Sequence, residues 1–239
     1  MKRALVTGAT GAIGPAICRE LARAGLHVIV HGNRRAEAAA RLVTEIAAAG
    51  GAVEHAAFDV TDADATARAL ERLLGHGPIQ VLVNNAGAHV DAPMPGMTRA
   101  QWRNVIDVNL HGFFNVTQPL LLPMLATRWG RIVSISSVSA LIGNRGQANY
   151  AAAKAALHGA TKSLALELAS RGVTVNVVAP GVVESPATAK AFPADRIQAL
   201  VPMQRAGTPE EVAALVGFLA SDAAGYITGQ IVAVAGGLG

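Results

Sequence analysis

The sequence predicts a single α/β domain built on a doubly wound, seven-stranded parallel sheet with helices on both faces. Seven short, apolar and mostly β-branched runs recur along the chain, and Ala- and Leu-rich segments long enough for crossover helices separate them. A glycine-rich turn directly follows the first run, where an open α/β sheet has its ligand crevice. A length of 239 residues gives one such domain a substantial core.

The predicted strands are Ala4 to Val6, Val28 to Val30, Val53 to Phe58, Ile79 to Val83, Arg131 to Ile135, Val173 to Val178 and Ile231 to Val234. Their near-continuous apolar character suits strands covered on both faces. After the first, Thr7-Gly8-Ala9-Thr10-Gly11-Ala12-Ile13-Gly14 opens a helical pattern. Two later helix starts are marked by capping boxes, Thr98 with Gln101 and Thr208 with Glu211, and Pro209 suits a first helical position. Residues 185–207 carry three prolines between the sixth strand and the last helix. That is too long for an ordinary connection and is expected to form a substrate lid. No repeat, charged tail or linker divides the chain, so residues 1–239 are expected to form one domain.

Hydrophobic residues make up 51% and charged residues 15%, a balance that excludes extended disorder and leaves apolar surface for self-association. The net charge of +4 is spread without a basic block, which argues against a dedicated nucleic-acid binder. Cys18 is the sole cysteine, so no internal disulfide or cysteine-built metal site is available, and no metal is expected. Met1-Lys2-Arg3 runs straight into Ala-Leu-Val-Thr without a leader pattern, and no run reaches membrane-spanning length. A soluble cytoplasmic protein is expected.

Glycines in a strand-to-helix turn let the backbone approach a ligand, and the helix amides attract a pyrophosphate. The same pattern also serves plain loop geometry. After the second strand, Gly32-Asn33-Arg34-Arg35 offers no carboxylate for a ribose diol. Arg34 and Arg35 instead suit a 2′-phosphate, and so NADPH, unless they merely open a solvated helix. Tyr150 and Lys154 lie four residues apart, on one helix face, with Ser137 thirteen positions upstream of Tyr150 at a strand's carboxyl end. A cation beside a phenol favours the phenolate, which makes the pair a proton donor or acceptor. Alone, a Tyr-x-x-x-Lys recurs by chance on surface helices.

These pieces occur in one order with Asn84-Asn85-Ala86-Gly87 after the fourth strand, Asn109 in Asp-Val-Asn-Leu, and Pro180-Gly181. Together they resemble the short-chain dehydrogenase/reductase family over essentially the whole chain. Within it, Asp91, Met97, Gly146-Gln147-Ala148-Asn149-Tyr150 and Tyr226-Ile227-Thr228-Gly229-Gln230 are most similar to the 3-oxoacyl-[acyl-carrier-protein] reductases. The resemblance implies a Rossmann fold, a homotetramer and NADPH-dependent reduction of a 3-oxoacyl thioester on an acyl carrier protein. It implies that Tyr150 donates the proton, Lys154 lowers its pKa and holds the nicotinamide ribose, Ser137 positions the carbonyl and Asn109 anchors a water relay. For the cofactor it implies Gly8, Thr10, Gly11, Ala12, Ile13 and Gly14 at the pyrophosphate, with Arg34 beyond them. Asp59 and Val60 flank the adenine, Asn85, Ala86 and Gly87 line the cleft, and Pro180, Gly181, Val183 and Ser185 close it. Arg128 and Arg171 match carrier-docking positions, unless they are ordinary solvated arginines. Ala12 replaces a common glycine, Ser185 a threonine, and Ala235 an aspartate near the tetramer contact. Other expectations compatible with the chain are a ketoreductase acting on another small ketone, steroid or sugar, and a non-catalytic NADPH-binding sensor.

Overall fold

The computed structural model describes residues 1–191 and 193–239; within the predicted lid, Phe192 lies outside the described residues. In chain order, β1 (Arg3–Val6), α1 (Gly14–Arg23), β2 (His27–His31), α2 (Ala36–Ala48), β3 (Val53–Ala56), α3 (Ala63–Leu74) and β4 (Val81–Asn84) form the first half. The second half comprises α4 (Arg99–Ile106), α5 (Gly112–Ala126), β5 (Gly130–Ile135), α6 (Ser139–Ile142), α7 (Ala148–Leu168) and β6 (Val173–Pro180). It finishes with α8 (Pro186–Ala191), α9 (Ala194–Leu200), α10 (Pro209–Leu219) and β7 (Ile231–Val234).

All seven strands join one parallel sheet in the order β3-β2-β1-β4-β5-β6-β7. The order reverses between β1 and β4, which opens a crevice beyond their carboxyl ends. Side chains alternate across the sheet with period two. Ala4 and Val6 therefore pack with α1, α2 and α10 on one face, and Leu5 packs with α3, α5 and α7 on the other. In register, Leu5 lies between Ile29 and Leu82, and all three are fully buried.

The seven predicted strands are present with shifted ends. β4 begins at Val81 rather than Ile79 because its pairing with β1 starts at Ala4. β3, at the edge with a single partner, stops at Ala56. β6 runs on to Pro180 because β7 pairs it there through Val234. Both capping boxes form, Thr98 with Gln101 and Thr208 with Glu211, and Pro209 opens α10. The segment 185–207, expected to form a lid, carries two helices, α8 and α9, and is pinned at its far end by Met203 N–H to Gly236 O at 3.0 Å and Gly207 N–H to Val182 O at 2.9 Å.

Candidate active site

The phosphate turn is built by close backbone approach. Gly8 has φ of 61°, and a Cβ there would lie 2.7 Å from Ala86 Cα. A Cβ at Gly14 would meet the Ala9 backbone at 2.6 Å, so only glycine lets α1 start against the end of β1. Helix α1 has Pro15, no side-chain cap and no acidic residue in its first turn. Its first amides are left for an anion. Ala12 is exposed at the surface of the turn, so its methyl group displaces no backbone. Thr7 and Asn85 brace the turn from below. Thr7 Oγ accepts from the Asn85 and Ala86 amides at 3.0 Å, and Asn85 Nδ2 donates to Thr7 O and Gly8 O at 3.0 and 2.9 Å. Asn85 thus works as a strut behind the turn through its carboxamide.

At the end of β2, His31 carries a contact that sequence reading missed. It is 2% exposed; Gly8 N–H donates to its Nδ1 at 3.1 Å, and its Nε2 bonds Phe58 O at 2.9 Å. Since the acceptor Nδ1 bears no hydrogen, Nε2–H is the donor. The ring stacks tilted on Phe58 at 4.0 Å, and burial pushes its pKa down to about 4. A histidine at the end of an apolar strand was the only signal available. Beyond it, Arg35 donates to Thr10 O at 3.2 Å, whereas Arg34 is exposed and lies near Asp59. The Asp59 carboxylate is held below its ordinary range, first by the Thr61 amide and also by Asn33 and Arg34. This rim places cations and one ionised carboxylate beside the glycine turn, which fits the phosphate and adenosine end of a dinucleotide.

Ser137 follows β5, and Tyr150 and Lys154 lie on α7. The Ser137 hydroxyl accepts from Ser139 N–H at 3.2 Å and lies near enough to the Tyr150 phenol to favour its ionised form. Lys154 is 3% exposed; its ammonium donates to Ile135 O at 2.7 Å and lies 5.8 Å from the Tyr150 ring centre. Burial alone pushes Lys154 down to about 8. Contrary to expectation, the Tyr150 phenol is raised above its ordinary value. Burial is the main cause, the Ser137 hydroxyl pulls the other way, and the Asp91 carboxylate adds to the rise. His89, a loop residue, stands edge-on to Tyr150 at 6.2 Å.

Asn109 sits in a π-helical turn, Asp107–His111, between α4 and α5. The wider turn re-aims its side chain. Nδ2 donates to Ala88 O at 2.7 Å and Val105 O at 2.8 Å, while the buried Oδ1 has no partner. A Cβ on Gly87 would lie 2.9 Å from that oxygen and 3.3 Å from Lys154 Nζ, so both groups approach one point that glycine keeps open. A cavity of about 10 Å³ adjoins it, lined by Asn109, Lys154, Thr7, Ala86 and Val60. That is about the room one water needs.

Pro180 O accepts from Val138 N–H at 2.8 Å, which ties the end of β6 to the Ser137 segment. A Cβ at Gly181 would meet Ala235 Cα at 2.8 Å. Val183 bridges to Gly207. Ser185 Oγ accepts from Thr188 N–H at 3.0 Å, so it caps α8 within the chain. Arg128 and Arg171 are exposed just before β5 and β6, at the amino ends of the strands. Ser137 lies at the other end of β5, about 20 Å away for a six-residue strand. The structure does not bring the two arginines to this site.

The profile of the family described as short chain dehydrogenase matches residues 2–196. A 3-oxoacyl-[acyl-carrier-protein] reductase FabG from Thermotoga maritima is 45% identical over 240 residues, covering 99% of this chain and 97% of the relative. An acetoacetyl-CoA reductase from Allochromatium vinosum is 44% identical over 240 residues, covering 98% and 97%. Among solved structures, one assigned as a gluconate dehydrogenase from Agrobacterium tumefaciens superposes with a TM-score of 0.95 at 32% identity, covering 99% of this chain and 95% of that one. With the family profile matched over residues 2–196 and relatives 44–45% identical over nearly the whole chain, the chain belongs to the short-chain dehydrogenase family of oxidoreductases.

Proposed function

We propose that the protein reduces the 3-keto group of acyl thioesters presented by an acyl carrier protein, with NADPH as the reductant. The observation that carries the reading is the convergence of the Ser137 and Tyr150 hydroxyls, backed by buried Lys154, beside the glycine turn. When bound, the nicotinamide supplies hydride to the keto carbon. The chain's own groups handle the oxygen: Ser137 and Tyr150 point two hydroxyls at one acceptor, and Tyr150 gives up its proton as charge develops there. A phenol raised by burial stays protonated until that moment. The negative charge then forming on Tyr150 compensates the Lys154 ammonium, which burial otherwise disfavours. The unpartnered Asn109 Oδ1 and Lys154 Nζ, meeting at a water-sized cavity, support a route for proton resupply.

Arg34 and Arg35 support NADPH through the 2′-phosphate, with Asp59 and Val60 on the adenine side. The names of the relatives support the thioester substrate. Exposed Phe114, Leu122 and Leu166 on α5 and α7 support assembly into a homotetramer. Among the described residues, no helix is long and apolar enough to cross a membrane, and a cytoplasmic enzyme accords with that. A second reading, reduction of another small ketone or oxidation of a sugar-acid alcohol, is favoured by the solved structure assigned as a gluconate dehydrogenase. The deciding assay follows NADPH oxidation with acetoacetyl thioesters of carrier protein and coenzyme A, against simple ketones and with NADH as control. The expected result is fastest turnover of the carrier-bound thioester with NADPH; activity on simple ketones alone would refute the thioester assignment.

A further inference from the structure

Lys154 is tied to the end of β5 through its side-chain ammonium and its backbone carbonyl. Its ammonium donates to Ile135 O at 2.7 Å, and its carbonyl oxygen accepts from Ser136 Oγ at 3.2 Å. Ser136 is 3% exposed, and its hydroxyl also meets His158 Nε2 at 2.8 Å. A serine hydroxyl has one hydrogen to give. Because Ser136 donates it to the Lys154 carbonyl, His158 Nε2–H must be the donor in the other bond. The chain therefore runs from His158 to Ser136 to the Lys154 carbonyl. It ends on an oxygen that has no proton to pass on, so it acts as a brace and not as a relay.

The position of this brace gives it consequence. Tyr150, Lys154 and His158 follow one another at four-residue steps on α7 and share the face turned to β5. Ser136 immediately precedes Ser137, whose hydroxyl lies near the Tyr150 phenol. The brace thus joins strand end and helix one residue from the serine and one helical turn from the tyrosine. Neither Ser136 nor His158 lines the cavity beside Asn109.

We infer that Ser136 and His158 are positioning residues for the reaction, which hold α7 against the carboxyl end of β5 so that Tyr150 and Lys154 keep their register with Ser137. The inference rests on the reductase reading but not on which ketone is reduced.

The test compares Ser136→Ala, His158→Leu, the double variant, Ser136→Thr and His158→Gln on whichever ketone the wild type turns over. A displacement well under 1 Å between reacting groups is expected to lower kcat about tenfold, while KM for NADPH stays within about twofold because the glycine turn is untouched. The double variant should be no slower than the worse single one, since both break one chain. Ser136→Thr, which keeps the hydroxyl, and His158→Gln, which keeps a donor, should recover most of the rate. The inference is overturned if kcat is kept, if KM for NADPH rises at constant kcat, if the two losses multiply, or if the conservative variants fail to recover. Should Ser136→Ala not fold, the His158→Leu and His158→Gln pair decides the matter alone, since His158 lies at the edge of the core. A wild type inert toward every ketone would overturn the reductase reading and this inference together; an active wild type with unaffected variants overturns the inference only.

Discussion

Lys154 is a buried cation whose cost can be measured without any substrate. Burial takes it from an ordinary 10.5 to about 8, and at about 1.4 kcal/mol for each tenfold change the charged form costs the fold about 3 kcal/mol. With the folded value depressed for a base, the folded chain releases its proton before the unfolded chain does. Below about pH 8 both forms are charged and the full cost is present; above it the cost shrinks, so stability rises with pH. Between about pH 7 and about pH 9.5 the gain works out at about 2 kcal/mol. Urea unfolding of wild type and Lys154→Met at matched chain concentration isolates it, because the difference between the two curves removes the titrations that are not coupled to Lys154. That difference should grow in favour of the wild type by about 2 kcal/mol over the interval. A flat difference would mean that Lys154 keeps its ordinary value, and the account of Tyr150 and Lys154 exchanging charge during turnover would lose its basis.

Tyr150→Phe should remove most turnover, by a factor of about a hundred or more, while NADPH binding by fluorescence titration stays measurable; retained turnover would remove Tyr150 as proton donor. Arg34→Glu should weaken NADPH at least about tenfold relative to NADH in steady-state KM, because a carboxylate facing the 2′-phosphate repels it, and an unchanged preference would refute the assignment. His31 stays neutral in the fold down to about pH 4, whereas the unfolded chain takes up its proton near 6.5. Wild type should therefore lose about 2 kcal/mol of stability between about pH 7 and about pH 5 that His31→Gln does not lose, read from urea midpoints.

Periodicity and punctuation were enough to place all seven strands and two capped helix starts. Both signals are local: β-branched runs, glycines and capping residues act within a few positions of themselves. Strand ends were less legible, because they depend on where a neighbour in the sheet begins to pair, as at Val81 and Pro180. Sequence spacing also put Tyr150 and Lys154 on one helix face with Ser137 at a strand end, since those relations follow from backbone geometry.

What the sequence determined by itself is the fold class, the glycine turn and the residue types of the proposed catalytic cluster, each set by short-range chain geometry. Only the tertiary structure decided the electrostatics and the bracing. It raised Tyr150 where an adjacent lysine suggested lowering, because burial is a property of everything packed around a group. It put His31 between Gly8 and Phe58 and placed Arg128 and Arg171 at the far end of the sheet. Each of these is set by residues brought together only when the strands assemble, across separations along the chain that no local pattern encodes.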